Sequence, residues 1–203
     1  MDKNVITKKK QPTAIRRVQI KNAVLTILTE KGINQLSWKN IAKECSLSEG
    51  AIYRHFKSQD AILQSIIIDY KESLLQRLKE ITLSKESAEK RLDKFICTQF
   101  THLNKNKGLN LLIFSQASYS NSELLLSTLK PIFNLQKKYL CKIIMDGIIE
   151  GVWCKTISPE ALSELYMGIP LSINIEADFN NSQPKDYTYC REVQSFILKI
   201  LSK

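Results

Sequence analysis

Residues 37–60 read SWKNIAKECSLSEGAIYRHFKSQD, a pattern typical of two short helices joined by a tight turn. Ser37 and Ser48 each precede a segment with apolar residues at helical spacing, and serine is a favoured N-cap residue. We therefore predict one helix from Ser37 through Cys45 and a second from Ser48 through Phe56. In a helix-turn-helix of this kind, the second helix presents its outer face to the major groove of DNA.

A small core has to hold the two helices at a large angle. Ile41 and Cys45 can supply it from the first helix, and Leu47 from the turn. Ile52 and Phe56 lie four residues apart on the second helix and therefore share a face. We predict that this face packs inward, which leaves the opposite face of the second helix open to DNA.

The open face carries residue types that recognise DNA. Gly50 and Ala51 are small, so the start of the helix can approach the bases closely. Arg54 can hydrogen-bond both acceptors of a guanine edge, and Ala51 can contact a thymine methyl group. Polar neighbours suit phosphate contacts, which position a protein without reading sequence. The residues predicted to bind DNA are Ser37, Trp38, Ser48, Glu49, Gly50, Ala51, Tyr53, Arg54, His55 and Lys57.

Positive charge is concentrated at the same end of the chain. Residues 1–60 contain 12 Lys and Arg against five Asp and Glu, whereas residues 61–203 contain 18 against 15. Such an asymmetry indicates a polyanionic partner for the N-terminal end, although a generally Lys-rich composition would give a similar excess. Lys8–Lys10 lie in a polar segment, residues 1–12, which we interpret as a disordered basic arm.

The remainder of the chain also has helical periodicity. Apolar residues recur at steps of three and four, and no alternating strand pattern of useful length appears, so the fold class is predicted to be all-α. We expect a helix-turn-helix domain over residues 13–57 and a second helical domain over residues 58–203. The second domain is expected to begin with a connecting helix, residues 58–81, and to contain a long helix that runs to about Trp153.

The segment from Gly32 to Leu63 resembles the TetR/AcrR family of bacterial repressors through the pattern GxxxxSWKNIAKECSLSEGAIYRHFKSQDAIL. The resemblance covers about residues 14–63. It implies that residues 58–203 form a ligand-binding and dimerisation domain. It also implies a homodimer on a palindromic DNA operator, which is released when a small molecule enters that domain.

Three residues depart from the family pattern. Ser46 stands in the turn, where glycine is common and adopts a positive φ without cost, so we expect backbone strain there. Glu49 stands where lysine is common; it is unfavourable beside phosphates but can accept a hydrogen bond from cytosine N4, which predicts a different operator sequence. Trp38 replaces a smaller apolar residue and is expected to pack or to lie against the DNA backbone.

Aromatic residues of the second domain are candidates for the wall of a ligand cavity. A mostly apolar pocket with few charges favours a small hydrophobic effector. The same residues also describe an ordinary helical core, so both interpretations stand. The predicted ligand-binding residues are Phe95, Phe100, Phe114, Phe133, Tyr139, Trp153 and Tyr166.

The last two helices are the predicted homodimer interface. Apolar stripes from two subunits would form a four-helix bundle, and packing within one chain is the alternative. The residues expected in this interface are Leu162, Leu165, Ile169, Val193, Phe196, Ile197 and Ile200.

No residue pattern indicates an enzyme. The chain lacks paired carboxylates, a nucleophile–base arrangement and a Gly-rich phosphate loop, and its five cysteines are dispersed without a CxxC pair. We therefore expect no cofactor and no metal. The cysteine usage, and the lack of a signal peptide or an apolar run of membrane length, predict a cytoplasmic protein. A redox role for Cys97, Cys141 or Cys154 stays open.

The sequence thus predicts a ligand-responsive transcriptional regulator, a repressor that a small hydrophobic effector releases from its operator. One alternative is a transcriptional activator or an effector-independent DNA-binding protein. A second alternative is a small-molecule carrier that has lost DNA binding. A compound that weakens DNA binding would exclude an effector-independent protein, and specific DNA binding would exclude the carrier.

Overall fold

The computed structural model describes residues 12–105, 122–179 and 187–202, which are helical apart from short connections and contain no strand. The predicted all-α fold class is confirmed. The chain divides into two compact units, Met1–Leu63 and Gln64–Lys203. The expected basic arm lies outside the described residues except for Pro12.

Among its described residues, the first unit contains three α-helices before the long helix that continues into the second unit. Helix α1 ends where Gly32 takes a φ of 80°, a conformation that glycine adopts without steric cost. A short 3₁₀ turn follows before the helix-turn-helix begins. The elements are α1 (Thr13–Lys31), the 3₁₀ turn (Ile33–Gln35), α2 (Trp38–Cys45) and α3 (Glu49–Tyr53).

The core of the first unit is the one that the sequence pattern indicates. Ile41 and Cys45 of α2 are buried, as are Ile52 and Phe56. Leu47, in the turn, is only half-buried. Helix α1 packs against α2 and supplies the opposite wall with four fully buried side chains: Ile20, Val24, Ile27 and Leu28.

Helix α4 begins in the first unit and continues into the second. Ser58 caps it, since its Oγ accepts from the amide of Ala61 at 3.0 Å. The observed helix extends two residues beyond the expected end of the connecting helix. The helices from this point are α4 (Gln59–Leu83), α5 (Ala88–Lys105), α6 (Glu123–Ile149), α7 (Pro159–Phe179) and α8 (Tyr187–Leu201).

The expectation that α6 would reach Trp153 is wrong, because the helix ends at Ile149. Gly151 takes a φ of 75° and turns the chain back, and the Trp153 amide donates to the carbonyl oxygen of Gly147 at 3.2 Å. The Trp153 ring then packs directly over Gly147, where a Cβ atom would collide with it. The tryptophan therefore closes the helix end instead of extending it.

In the second unit, α5 packs against α6 and α8, and α6 packs against α7. One end of this bundle is held by Arg91, which is only 5% exposed. Its guanidinium donates to Asp146 Oδ2 at 2.7 Å, to Glu150 Oε1 at 3.2 Å and to the carbonyl oxygen of Thr82 at 3.0 Å. A single buried cation thereby joins the end of α4, the start of α5 and the end of α6.

Candidate nucleic-acid interface

Helix α2 and the turn after it form as the serine pattern predicts. Ser37 Oγ accepts from the amide of Asn40 at 3.2 Å, which caps α2. Ser46 takes a φ of 53°, and the Leu47 amide donates to the carbonyl oxygen of Ala42 at 2.9 Å. The turn thus requires the left-handed conformation that glycine would adopt more easily, and Ser46 bears the backbone strain expected there.

Helix α3 is shorter than predicted. Ser48 Oγ accepts from the amide of Ala51 at 3.2 Å, so the predicted cap is present. The regular helix nevertheless ends at Tyr53 instead of Phe56, because the His55 amide donates to the Ile52 carbonyl three residues back, at 2.8 Å, and the chain tightens into a turn. The helix offered to DNA is therefore only about one and a half turns long.

Most of the predicted DNA-binding residues lie on the accessible side of α2 and α3. Tyr53 is 49% exposed, and Arg54 and Lys57 are also exposed. Ser48, Glu49 and Gly50 are exposed, whereas Ser37, Trp38, Ala51 and His55 are half-buried. A Cβ atom added at Gly50 would meet nothing within 4 Å, so the surface at the start of α3 is open.

Trp38 and Tyr53 form a contact that joins α2 to α3. Their ring centroids lie 4.6 Å apart, with an interplanar angle of 31°. Trp38 therefore packs, which was one of its two expected roles. One face of Tyr53 packs against Trp38, while about half of the tyrosine surface stays accessible.

Arg17 of α1 anchors the end of α3, a role that the sequence pattern did not reveal. Its Nη1 donates to the carbonyl oxygen of His55 at 2.7 Å, and its guanidinium carbon lies 4.0 Å from the ring centroid of Phe56. The imidazole Nδ1 of His55 is buried without a hydrogen-bond partner among the described residues.

The predicted ligand-binding residues of the second unit lie mainly in its interior. Phe95, Phe100, Trp153 and Tyr166 are buried, and the ring centroids of Phe95 and Tyr166 are 6.4 Å apart. Tyr139 is half-buried. Phe133 is 37% exposed, which leaves it at the edge. Phe114 lies outside the described residues.

A cleft of about 760 Å³ opens between α4 and α5. Its walls are polar and carry both signs of charge, with Arg77, Glu80, Lys94 and Lys105 among the lining residues. None of the predicted aromatic residues lines it. In the part of the chain that the structure describes, no helix is long and apolar enough to cross a membrane, and no cluster of three or more His, Cys, Asp and Glu is placed to hold a metal ion.

The predicted dimer residues fall into two groups. Leu162, Val193 and Ile197 are at most 7% exposed within the single chain, so their assignment to a dimer interface is wrong, because they pack into the core of their own subunit. Leu165 and Phe196 are 62% and 59% exposed. Ile169 and Ile200 are half-buried. Only this second group lies at the surface of α7 and α8.

Comparison with known proteins shows similarity to bacterial helix-turn-helix regulators. The family model described as bacterial regulatory proteins, tetR family, matches residues 22–66. The transcriptional regulator UidR of Escherichia coli K12 is 41% identical over 70 residues, which is 34% of each chain. The fatty acid metabolism regulator protein of Bacillus subtilis is 30% identical over 146 residues, which is 71% of each chain. The match to UidR thus spans about a third of that relative's length.

Solved structures share the fold over nearly the whole chain. The ketosteroid transcriptional regulator KstR2 of Mycobacterium tuberculosis has a TM-score of 0.79 at 16% identity, covering 93% of this chain and 95% of that one. The regulator FadR of Bacillus subtilis, in complex with stearoyl-CoA, has a TM-score of 0.71 at 22% identity, covering 92% and 97%. The helix-turn-helix and the helical second unit define a transcriptional regulator of the helix-turn-helix class. The chain belongs to the tetR family of bacterial regulatory proteins.

Proposed function

We propose that this protein is a ligand-responsive transcriptional repressor that binds a palindromic operator as a homodimer and is released by a small hydrophobic effector. The observation that carries the DNA-binding part is the open surface of α2 and α3, on which the stacked Trp38–Tyr53 pair lies beside exposed Arg54 and Lys57. The surplus of positive charge in residues 1–60 supports a polyanionic partner for this surface.

The exposed residues of α3 divide by chemistry into two roles. Arg54 and Ala51 suit base edges, as a guanine-reading cation and a methyl contact, and Glu49 suits a cytosine amino group. The remaining polar residues of the surface suit phosphates, which fix the register of α3 on the duplex. We assign this phosphate role to Ser37, Ser48, Tyr53, His55 and Lys57.

A homodimer is supported by the exposed apolar residues of the last two helices. Leu165 of α7 and Phe196 of α8 leave more than half of their surface accessible, which is costly for large apolar side chains unless a partner covers them. A second copy of the same surface is the simplest partner, with Ile169 and Ile200 at its margin. The dimer would present two α3 helices to successive major grooves, about 34–36 Å apart.

An apolar effector is supported by the interior of the second unit and by the relatives. Phe95, Phe100 and Tyr166 provide an aromatic interior. Two proteins of similar fold are named as a ketosteroid regulator and as a regulator in complex with stearoyl-CoA. An effector that bound the DNA-incompetent state of the dimer more tightly by a few kcal/mol would empty the operator.

Selection from a pool of random duplexes tests this proposal without assuming an operator. The full chain is retained on a support, bound duplexes are amplified, and the enriched sequences are read after several rounds. We expect an inverted repeat whose half-site centres are about one helical turn apart. A pool that stays random would contradict the proposal, and an enriched single half-site would contradict the dimer. A reporter gene placed behind the enriched site then separates a repressor from an activator.

A further inference from the structure

The hydroxyl oxygen of Tyr166 and Oε1 of Gln99 are among the buried side-chain atoms of the second unit that have no hydrogen-bond partner among the described residues. Tyr166 is 1% exposed and Gln99 is 3% exposed, so bulk water does not satisfy them. An unpaired buried polar group lowers the stability of the fold, and native proteins contain few of them. A molecule bound in this part of the interior would complete them.

Both side chains lie next to Phe95. Gln99 lies one turn after Phe95 on the same face of α5, and the Phe95 ring lies 6.4 Å from the ring of Tyr166. Nε2 of Gln99 donates to Oε1 of Gln136 at 2.6 Å, and Nε2 of Gln136 donates to the carbonyl oxygen of Ile132 at 3.2 Å. This chain of bonds fixes the Gln99 amide and leaves its oxygen as a free acceptor.

The surroundings favour an uncharged ligand group. Burial, and then the nearby thiols of Cys190 and Cys97, raise the pKa of Tyr166 well above its ordinary value. The phenol is therefore protonated at neutral pH and available to donate. Among the described residues, Arg91 is the buried cation, and it is already held by Asp146 and Glu150. A buried carboxylate would lack a free counter-ion here.

We propose that Tyr166 Oη and Gln99 Oε1 are the polar anchor of the effector, and that the effector is an apolar molecule carrying an uncharged hydroxyl or amide group. Such a group accepts a hydrogen bond from Tyr166 and donates one to Gln99, while its apolar body packs against Phe95 and its aromatic neighbours. The proposal rests on the ligand response proposed above and assigns the polar chemistry of that ligand. It also gives these two buried polar atoms hydrogen-bond partners.

The test uses the full chain, its Tyr166→Phe variant and three probes of equal chain length: 1-decanol, decanamide and decanoate at pH 8. Calorimetry measures affinity, and intrinsic tryptophan fluorescence measures the melting temperature. Tyr70→Phe is the matched control, because Tyr70 is also a buried tyrosine of the second unit but its hydroxyl is not among the unsatisfied atoms.

We expect wild type to bind decanol and decanamide at least tenfold more tightly than decanoate. Tyr166→Phe should bind decanol about tenfold more weakly, the loss of one hydrogen bond. Without any probe, the same variant should melt at the wild-type temperature or above it, because it removes an unpaired hydroxyl. Tyr70→Phe should bind decanol like wild type.

Three results would overturn the proposal. In the first, Tyr166→Phe melts lower without probe and keeps its decanol affinity, which would mean that an internal water satisfies the hydroxyl. In the second, decanoate binds as tightly as decanol. In the third, wild type binds none of the probes. The duplex selection is done without any probe. Its failure would contradict the proposed regulatory function, whereas the probe affinities and melting temperatures would be unaffected.

Discussion

The ring centroids of Trp38 and Tyr53 lie 4.6 Å apart, so the tryptophan packs against a side chain that we propose to contact a phosphate of DNA. A free tyrosine would lose rotamer entropy on binding a phosphate, whereas a stacked one has lost much of it already. Trp38 thus contributes by packing against Tyr53, and it is itself half-buried.

Replacing Trp38 by alanine should therefore weaken DNA binding. The expected loss is about fivefold, equivalent to about 1 kcal/mol for a side chain that must be ordered on binding. Fluorescence anisotropy with a duplex from the selection measures it, and Trp38→Phe, which can still stack, should recover part of the affinity. Unchanged affinity in Trp38→Ala would show that Tyr53 is not preorganised by this contact, or does not touch DNA.

At the scale of elements, the short helix α3 depends on its neighbours. Five residues are too few for a helix to be stable alone. Ser48 caps its start, and Arg17 of α1 holds the chain just after its end. A residue of α1, 38 positions away in sequence from His55, therefore helps to hold α3 in place.

Arg17→Met tests this dependence, because methionine keeps the aliphatic stem and removes the guanidinium. We expect a loss of about 1–2 kcal/mol in the free energy of unfolding, the usual effect of removing a hydrogen bond from a charged donor. Urea denaturation measures it. Arg16→Met, one position away, is the control, because among the described residues the Arg16 guanidinium donates to Gln19 of its own helix. Equal stability of wild type and Arg17→Met would contradict the anchoring role.

The elements also show what a sequence can predict and what it cannot. The caps at Ser37 and Ser48 and the buried pair Ile52 and Phe56 were predictable, because these signals lie within a few residues of each other. The contact of Arg17 with the end of α3 was not predictable, since it depends on how distant segments fold together. The early end of α3 follows from a local shift in hydrogen bonding that residue types do not reveal.

The dimer face was only partly predictable for a similar reason. Helix α8 is apolar on more than one side: Val193 and Ile197 are buried, while Phe196 is 59% exposed. Periodicity shows that a stripe exists, but it does not say whether the stripe meets its own subunit or another. The packing of α5 against α8 determines which side of α8 is covered within the subunit. Val193 and Ile197 lie on that side and are buried in their own subunit.

At the scale of the whole molecule, the Arg91 cluster links stability to pH. Burial tends to raise the pKa of Asp146, but hydrogen bonds from Arg91 and Lys142 outweigh it and lower the pKa below its ordinary value of 3.8. Because the folded-state pKa is the lower one, the ionised carboxylate stabilises the fold above about pH 4. This contribution is lost as the pH falls through the folded-state pKa.

Asp146→Asn should lower the free energy of unfolding by about 2 kcal/mol at pH 7. The reason is that Arg91, a buried cation, loses one carboxylate partner and keeps the other, Glu150. The difference between the variant and wild type should shrink below about pH 4, where the wild-type carboxyl becomes protonated. Urea denaturation at pH 7, 5 and 3 measures this. A difference that stayed constant over this range would contradict the assigned role of the Asp146 charge.

The central claim is that α3 reads a specific DNA sequence, and fluorescence anisotropy over a salt series tests it most directly. Wild type, Arg54→Ala and Lys57→Ala are compared on the selected duplex and on a scrambled duplex. Wild type should prefer the selected duplex by at least about a thousandfold near physiological salt. Arg54→Ala should reduce that preference about tenfold to a hundredfold. Lys57→Ala should weaken binding to both duplexes alike, and the slope of log affinity against log salt concentration should become shallower by about one. Equal, steeply salt-dependent binding of wild type to both duplexes would contradict the claim.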